Sequence, residues 1–129
     1  RSGMRTFKIE RIRSVSVTPR SFERPEAESL EAELGRGWDI IADQPPVEVT
    51  LRFSPAVADR VLETRWHPAQ QTERQADGSL VWSTTVSGPI EIRLWILEWG
   101  DDVEVLAPAD LRADVAARLR RAAAQYPDA

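Results

Sequence analysis

The chain of 129 residues is long enough for one domain with a real core, and 42% hydrophobic with 29% charged residues is the balance of an ordinary globular protein. The absence of cysteine excludes disulfides, thiolate catalysis and sulfur-ligated zinc, and a single histidine, His67, excludes multi-histidine metal centres. The net charge of -4 conceals an asymmetry: residues 1–24 hold seven basic and two acidic groups, a net of +5, whereas residues 25–129 hold ten basic and nineteen acidic groups, a net of -9.

The first segment, Arg5–Val17, is β-prone, with Phe7, Ile9, Val15 and Val17 in one alternating phase and Ile12 out of step. The slip predicts a bulge or turn near Arg11–Ser14, hence one bent strand or two short ones, ended by Thr18-Pro19 because proline lacks the amide a ladder requires. So few strands do not stand alone in water. They are expected either to belong to a domain whose other strands are missing or to pair with the rest of the chain or with another copy. Residues 25–46 read as a linker, with a Gly35-Arg36-Gly37 break and a Pro45-Pro46 stop. In it, Leu30 and Leu34 are spaced to dock a short helix, and Trp38, Ile40 and Ile41 to anchor it on the body.

The body begins at Val47, where Val47, Val49, Leu51 and Phe53 take one face of a strand and Glu48, Thr50 and Arg52 the other. Ser54-Pro55 is expected as N-cap and first residue of a helix running to about Trp66, with Val57, Ala58, Val61 and Leu62 as its apolar stripe and Pro68 closing it. Asp77-Gly78 between residues 72–76 and 80–86 predicts a hairpin whose second strand keeps Leu80, Trp82, Thr84 and Val86 in phase. Residues 89–99 fit both a strand and a helix; Pro89 at the start and Gly100 at the end favour the helix. A short strand, Val103–Ala107, and a last helix from Pro108 with Leu111, Val115, Leu119 and Tyr126 on one face complete the order. Strand, helix, strand, strand, helix, strand with an added C-terminal helix predicts an α+β, ferredoxin-like βαββαβ sandwich.

Neither a phosphate loop nor a G-x-G-x-x-G turn is present, and no serine or cysteine with a motif context accompanies His67, so a catalytic triad is not expected. His67 is expected to cap the carbonyls at the end of the first helix, its functional alternative being a polar contact to a ligand or partner domain. Asp101, Asp102 and Glu104 read as a solvated turn rather than a metal site, because a calcium loop's glycine and alternation are lacking. Of the five tryptophans, Trp82, Trp95 and Trp99 are core candidates, and Trp38 and Trp66 interface candidates. The basic arm carries the clearest functional signal, since arginine's planar fork suits phosphate.

These residues resemble the C-terminal part of bacterial WYL-domain transcriptional regulators. The run from Arg5 through Phe7, Arg11 and Ile12 to Val15, followed by Phe22-Glu23-x-Pro25, is similar to the ending of the WYL domain. Val47-x-Val49-x-Leu51-Arg52-Phe53, Trp66-His67-Pro68-x-Gln70, Asp77-Gly78-Ser79 and the stretch from Trp99-Gly100 through Val103-Glu104-Val105-Leu106-x-Pro108 to Leu111-Arg112 resemble the extension called WCX. The W-Y-L signature itself is not in the chain. The resemblance implies three parts: residues 1–24 as the last strands, a β arm, of a truncated Sm-like WYL domain, 25–46 as linker, and 47–129 as a WCX-type domain. It implies a non-catalytic, effector-sensing and dimerising portion of a cytoplasmic DNA-binding regulator. Such a protein needs no cofactor or metal, makes no membrane contact, and forms a homodimer. Its effector is single-stranded nucleic acid or a small ligand, and operator DNA is read by a missing N-terminal helix-turn-helix. Arg5, Lys8, Arg11 and Arg13 are the expected effector contacts, and Arg52, Trp66, His67 and Gln70 the candidates for an interdomain or ligand surface. A purely structural dimerisation module and a small-molecule-sensing ferredoxin-like domain are the alternatives.

Overall fold

The alternation that starts at Val47 becomes strand β1 (Pro46–Phe53), in which Val49, Leu51 and Phe53 are fully buried while Glu48 and Arg52 face solvent. The computed structural model describes residues 7–27 and 45–128, and the chain divides into two units, Arg1–Gly35 and Arg36–Ala129.

In the second unit, α1 (Ala58–Leu62), β2 (Gln71–Arg74), β3 (Leu80–Ser87), α2 (Ile90–Glu98), β4 (Val103–Ala107) and α3 (Ala109–Ala123) follow β1. The strands form one antiparallel sheet in the order β2-β3-β1-β4, giving an α+β unit of four strands and three helices among the described residues. β1 and β3 pair along their whole length, Pro46 opposite Ser87 through Phe53 opposite Leu80, so the apolar sets of both strands fall on one face. On that face Val49, Leu51, Phe53, Leu80, Trp82, Val86 and Val105 meet Ala58 and Val61 of α1, Ile92, Trp95 and Ile96 of α2, and Leu111 and Val115 of α3 in one core. The other face of the sheet carries mainly polar side chains, with Val81 among them.

Local chemistry explains the connections. Gly78 takes φ +88° in the hairpin loop, a region open to glycine, and Asp77 Oδ1 accepts the Ser79 amide (2.9 Å) and hydroxyl (2.6 Å). Residues 90–98 resolve as helix. Pro89 stands just before them, and Gly100, at φ +59° one residue past the Trp99 cap, supplies the left-handed stop. No helix among the described residues is long and apolar enough to cross a membrane.

Three expectations are corrected. The strand predicted over residues 5–17 does not form in the described part of that segment: Ile9–Arg11 make a single 3-10 turn, and the rest through Thr18 has neither helix nor strand. Its alternating residues suit a ladder, but no other strand of that unit is described to pair with it. The first body helix is five residues rather than about twelve, and Ser54 does not cap it, because its hydroxyl donates to Asp102 Oδ1 (2.6 Å) instead. Its C-terminal end is set by Trp66, whose indole N–H donates to the Val61 carbonyl (2.9 Å), one of the acceptors a helix end leaves unpaired. Finally, α3 ends at Ala123, so Tyr126 lies past the helix and is exposed, and Leu119 is 40% exposed: only Leu111 and Val115 of the predicted stripe are buried.

Candidate functional site

The described part of the first unit presents both charge and apolar surface to solvent. Lys8, Arg11 and Arg13 are exposed, as are Phe7, Ile9, Val15, Val17 and Phe22, with Val17 99% exposed. Arg5, with Trp38 and the linker residues Leu30, Leu34, Ile40 and Ile41, lies outside the described residues.

In the second unit the four candidates separate onto two sides of the sheet. Arg52 is out of phase with buried Leu51 and Phe53 and therefore stands on the open face. Trp66, His67 and Gln70 belong to the loop between α1 and β2, on the helix side. Gln70 Oε1 accepts the backbone amides of Trp66 (2.7 Å) and His67 (3.2 Å), which closes the loop on itself. The Trp66 ring lies 5.2 Å from Trp95 and 6.1 Å from Trp99, and the latter two meet Phe53 edge-on at 5.7 and 5.4 Å. Trp66 is thus part of the aromatic core, the partner role sequence reasoning had given to Trp82, Trp95 and Trp99 alone. His67 is buried and caps no helix. Its Nδ1 accepts the Ala69 amide (3.1 Å) and sits 2.8 Å from the Thr84 hydroxyl on β3. A backbone amide only donates, so Nδ1 carries no proton, and the ring ties the loop to the sheet.

The open face carries a network that the sequence did not announce. Glu104, opposite Arg52 in the β1–β4 pairing, accepts from Arg52 (2.5 Å) and from Arg112 of α3 (2.8 Å), and Arg112 also reaches the Val105 carbonyl (2.6 Å). Hydrogen bonds from Arg52 and then Arg112 hold the Glu104 carboxyl below the usual carboxylate range, and the same contact raises Arg52. A shallow depression of about 230 Å³ at this end of the sheet is lined by Arg52, Asp77, Asp101, Asp102 and Glu104 among others. Three of its carboxylates are already engaged, Asp77 by Ser79, Asp102 by Ser54 and Glu104 by the two arginines. No group of histidine and acidic side chains among the described residues is arranged to hold a metal ion. A second pair, Arg93 of α2 with Asp114 of α3 (2.8 Å), links two helices, and the i, i+4 contact of Asp114 with Arg118 (3.4 Å) was the one part of these networks readable from spacing. Along its two central strands the open face presents Glu48, Thr50, Arg52, Val81, Ser83 and Thr85. Among the described residues of these two strands it offers no aromatic ring on which a base could stack.

Comparison with known proteins returns no curated protein that matches the chain. The family model of the WCX domain matches residues 45–123, the four strands and three helices just described. WCX is a C-terminal domain found in WYL regulators, and its family is regulatory and not known for catalysis. By this match, which takes in more than half of its residues, the chain belongs to the WCX domain family.

Proposed function

We propose that this chain is the effector-sensing and dimerising C-terminal portion of a bacterial, cytoplasmic, DNA-binding regulator of the WYL type. The observation that carries the reading is the WCX match over residues 45–123, preceded by a segment of net charge +5. In it, residues 1–24 are the end of a WYL domain, 25–46 the linker and 47–129 the WCX-type unit. A ferredoxin-like arrangement is supported by the strand order β2-β3-β1-β4, by antiparallel pairing throughout, and by helices placed between β1 and β2 and between β3 and β4. Arg5, Lys8, Arg11 and Arg13 meet the effector, a single-stranded nucleic acid or a small ligand, and arginine's planar fork suits the phosphates of the former. Arg52 on the open face, and the loop of Trp66, His67 and Gln70 on the helix side, serve an interdomain or ligand contact. The exposed apolar side chains of residues 7–22 favour the same reading, because such residues are covered when a strand of a WYL domain is completed by its neighbours. Binding shifts how two copies pack, and a helix-turn-helix preceding this chain reads operator DNA.

The test is a titration of labelled single-stranded and duplex oligonucleotides with the chain at two salt concentrations, followed by anisotropy. Single-strand binding that weakens with salt and is lost in the R5E/R11E variant is the expected result. Equal binding by wild type and variant overturns the role of the arm.

A further inference from the structure

We infer that the open face of the sheet is the surface through which two copies of this chain pack, sheet on sheet, with their β1 strands antiparallel. This rests on the dimer reading above and assigns it a surface. Every described helix of the second unit lies on the other side, so Glu48, Thr50 and Arg52 on β1 and Val81, Ser83 and Thr85 on β3 have no covering element among the described residues of that unit. The middle of the face is built of hydroxyl side chains and one valine, with a small hollow among Glu48, Gln71, Ser83 and Thr85.

The charge pattern selects a second copy as the occupant. Along β1 the outward residues read Glu48, Thr50, Arg52, acid and base either side of a small centre. A two-fold axis running across the strands through Thr50 reverses β1 and sets Glu48 opposite the partner copy's arginine at position 52, twice per dimer. The same axis stacks Ser83 on its own copy and sets Val81 over Thr85, because Thr50 is paired with Ser83 in the sheet. Glu48 has no ion pair within the described structure. Arg52 is 47% exposed in its side chain and shares Glu104 with Arg112, so the two arginines exceed the one carboxylate they bind. Glu73, opposite Val81 on β2, and the aspartates at the rim of the depression lie at the Arg52 end of the face, the end the partner's Glu48 reaches, and Arg52 with Arg112 supplies the positive charge there. A parallel stacking would set like charges against each other along β1 and is disfavoured.

Sedimentation equilibrium of the chain and of the variants E48R, R52E and E48R/R52E tests this, with circular dichroism to confirm that each is folded. Wild type should dimerise, each single charge reversal should weaken the dimer on the order of thirtyfold, and the double reversal, which restores an acid opposite a base, should recover most of the loss. Thr50→Arg, which leaves the Arg52–Glu104 contact in place, should weaken the dimer as well and guards against misfolding of R52E. A wild-type monomer at every concentration overturns the dimer reading together with this surface. A wild-type dimer indifferent to E48R and T50R overturns the surface alone.

Discussion

Removing the Phe53 ring is the sharpest test of where this chain keeps its stability. The side chain is fully buried on β1, at the point where the sheet meets α2, and stands edge-on to Trp95 (5.7 Å) and Trp99 (5.4 Å). Phe53→Ala deletes the ring from a site walled by α2 and by β3, which the ladder holds at its spacing from β1, so the gap closes only in part. The loss combines transfer of the ring and the cavity left behind, about 3–5 kcal/mol, and the two edge-on contacts place this site near the upper end. Phe7→Ala and Phe22→Ala, at positions 76% and 85% exposed, should each change stability by less than about 0.5 kcal/mol. Equilibrium urea unfolding followed by tryptophan fluorescence measures both, and with a slope of about 1–1.5 kcal/mol/M the Phe53 variant should lose roughly 3 M in its midpoint. If Phe53→Ala costs under about 1 kcal/mol, or no more than Phe7→Ala, the core is not where the burial pattern puts it.

Thr84→Val removes one hydroxyl from the His67 tie while keeping its shape, and should cost about 1 kcal/mol in the same assay, since Ala69 still donates to Nδ1. Gly78→Ala forces a side chain onto a φ of +88° with its Cβ 3.3 Å from that of Pro55, and should destabilise by about 1–2 kcal/mol; an unchanged midpoint would show that the hairpin loop relaxes freely. Glu104, Asp77 and Asp114 all have carboxyls held below their ordinary values, 4.5 for Glu104 and 3.8 for the aspartates, by hydrogen bonds from Arg52, Ser79 and Arg93 respectively. Their folded states bind protons less readily than the unfolded chain, so their stabilisation is full above these values and is lost as pH falls through the lower folded ones. Melting temperature should therefore be insensitive to these groups near pH 7 and decline below about pH 4.5, with a shallower decline in Glu104→Gln.

Elements whose signal is local were legible: β1 from strict alternation, the hairpin from Asp77-Gly78, α2 from Pro89 and Gly100, and β4 from its place between a glycine turn and Pro108. Where a tertiary contact outcompetes a local preference, reading failed. Ser54 looks like a cap, but Asp102 lies 48 positions away and takes its hydroxyl. Trp66 looks like the end of a long helix, but its indole folds back on Val61 and joins the aromatic core. The arm's alternation is real, yet a strand is a property of a pair, and no sequence pattern supplies the partner. Of the candidate residues, Arg52 could be assigned to the outward face from phase alone. The burial of His67 and the bridging of Arg52 and Arg112 by Glu104 depend on which strands become neighbours, which no spacing along the chain encodes.

The brevity of β2 bears on how far this protein can assemble. β3 runs for eight residues, and its outer side is paired only from Leu80 to Ser83 by four residues of β2, two of them charged. A fibre grows when one flat, apolar strand edge offers the next molecule the same edge again; this one is short, polar at every position and interrupted by the loop that His67 holds down. At the opposite border α3 lies against β4, and its Arg112 occupies the Val105 carbonyl. Both lateral directions are thus poor templates for end-to-end polymerisation, which favours closed particles of defined size over open chains.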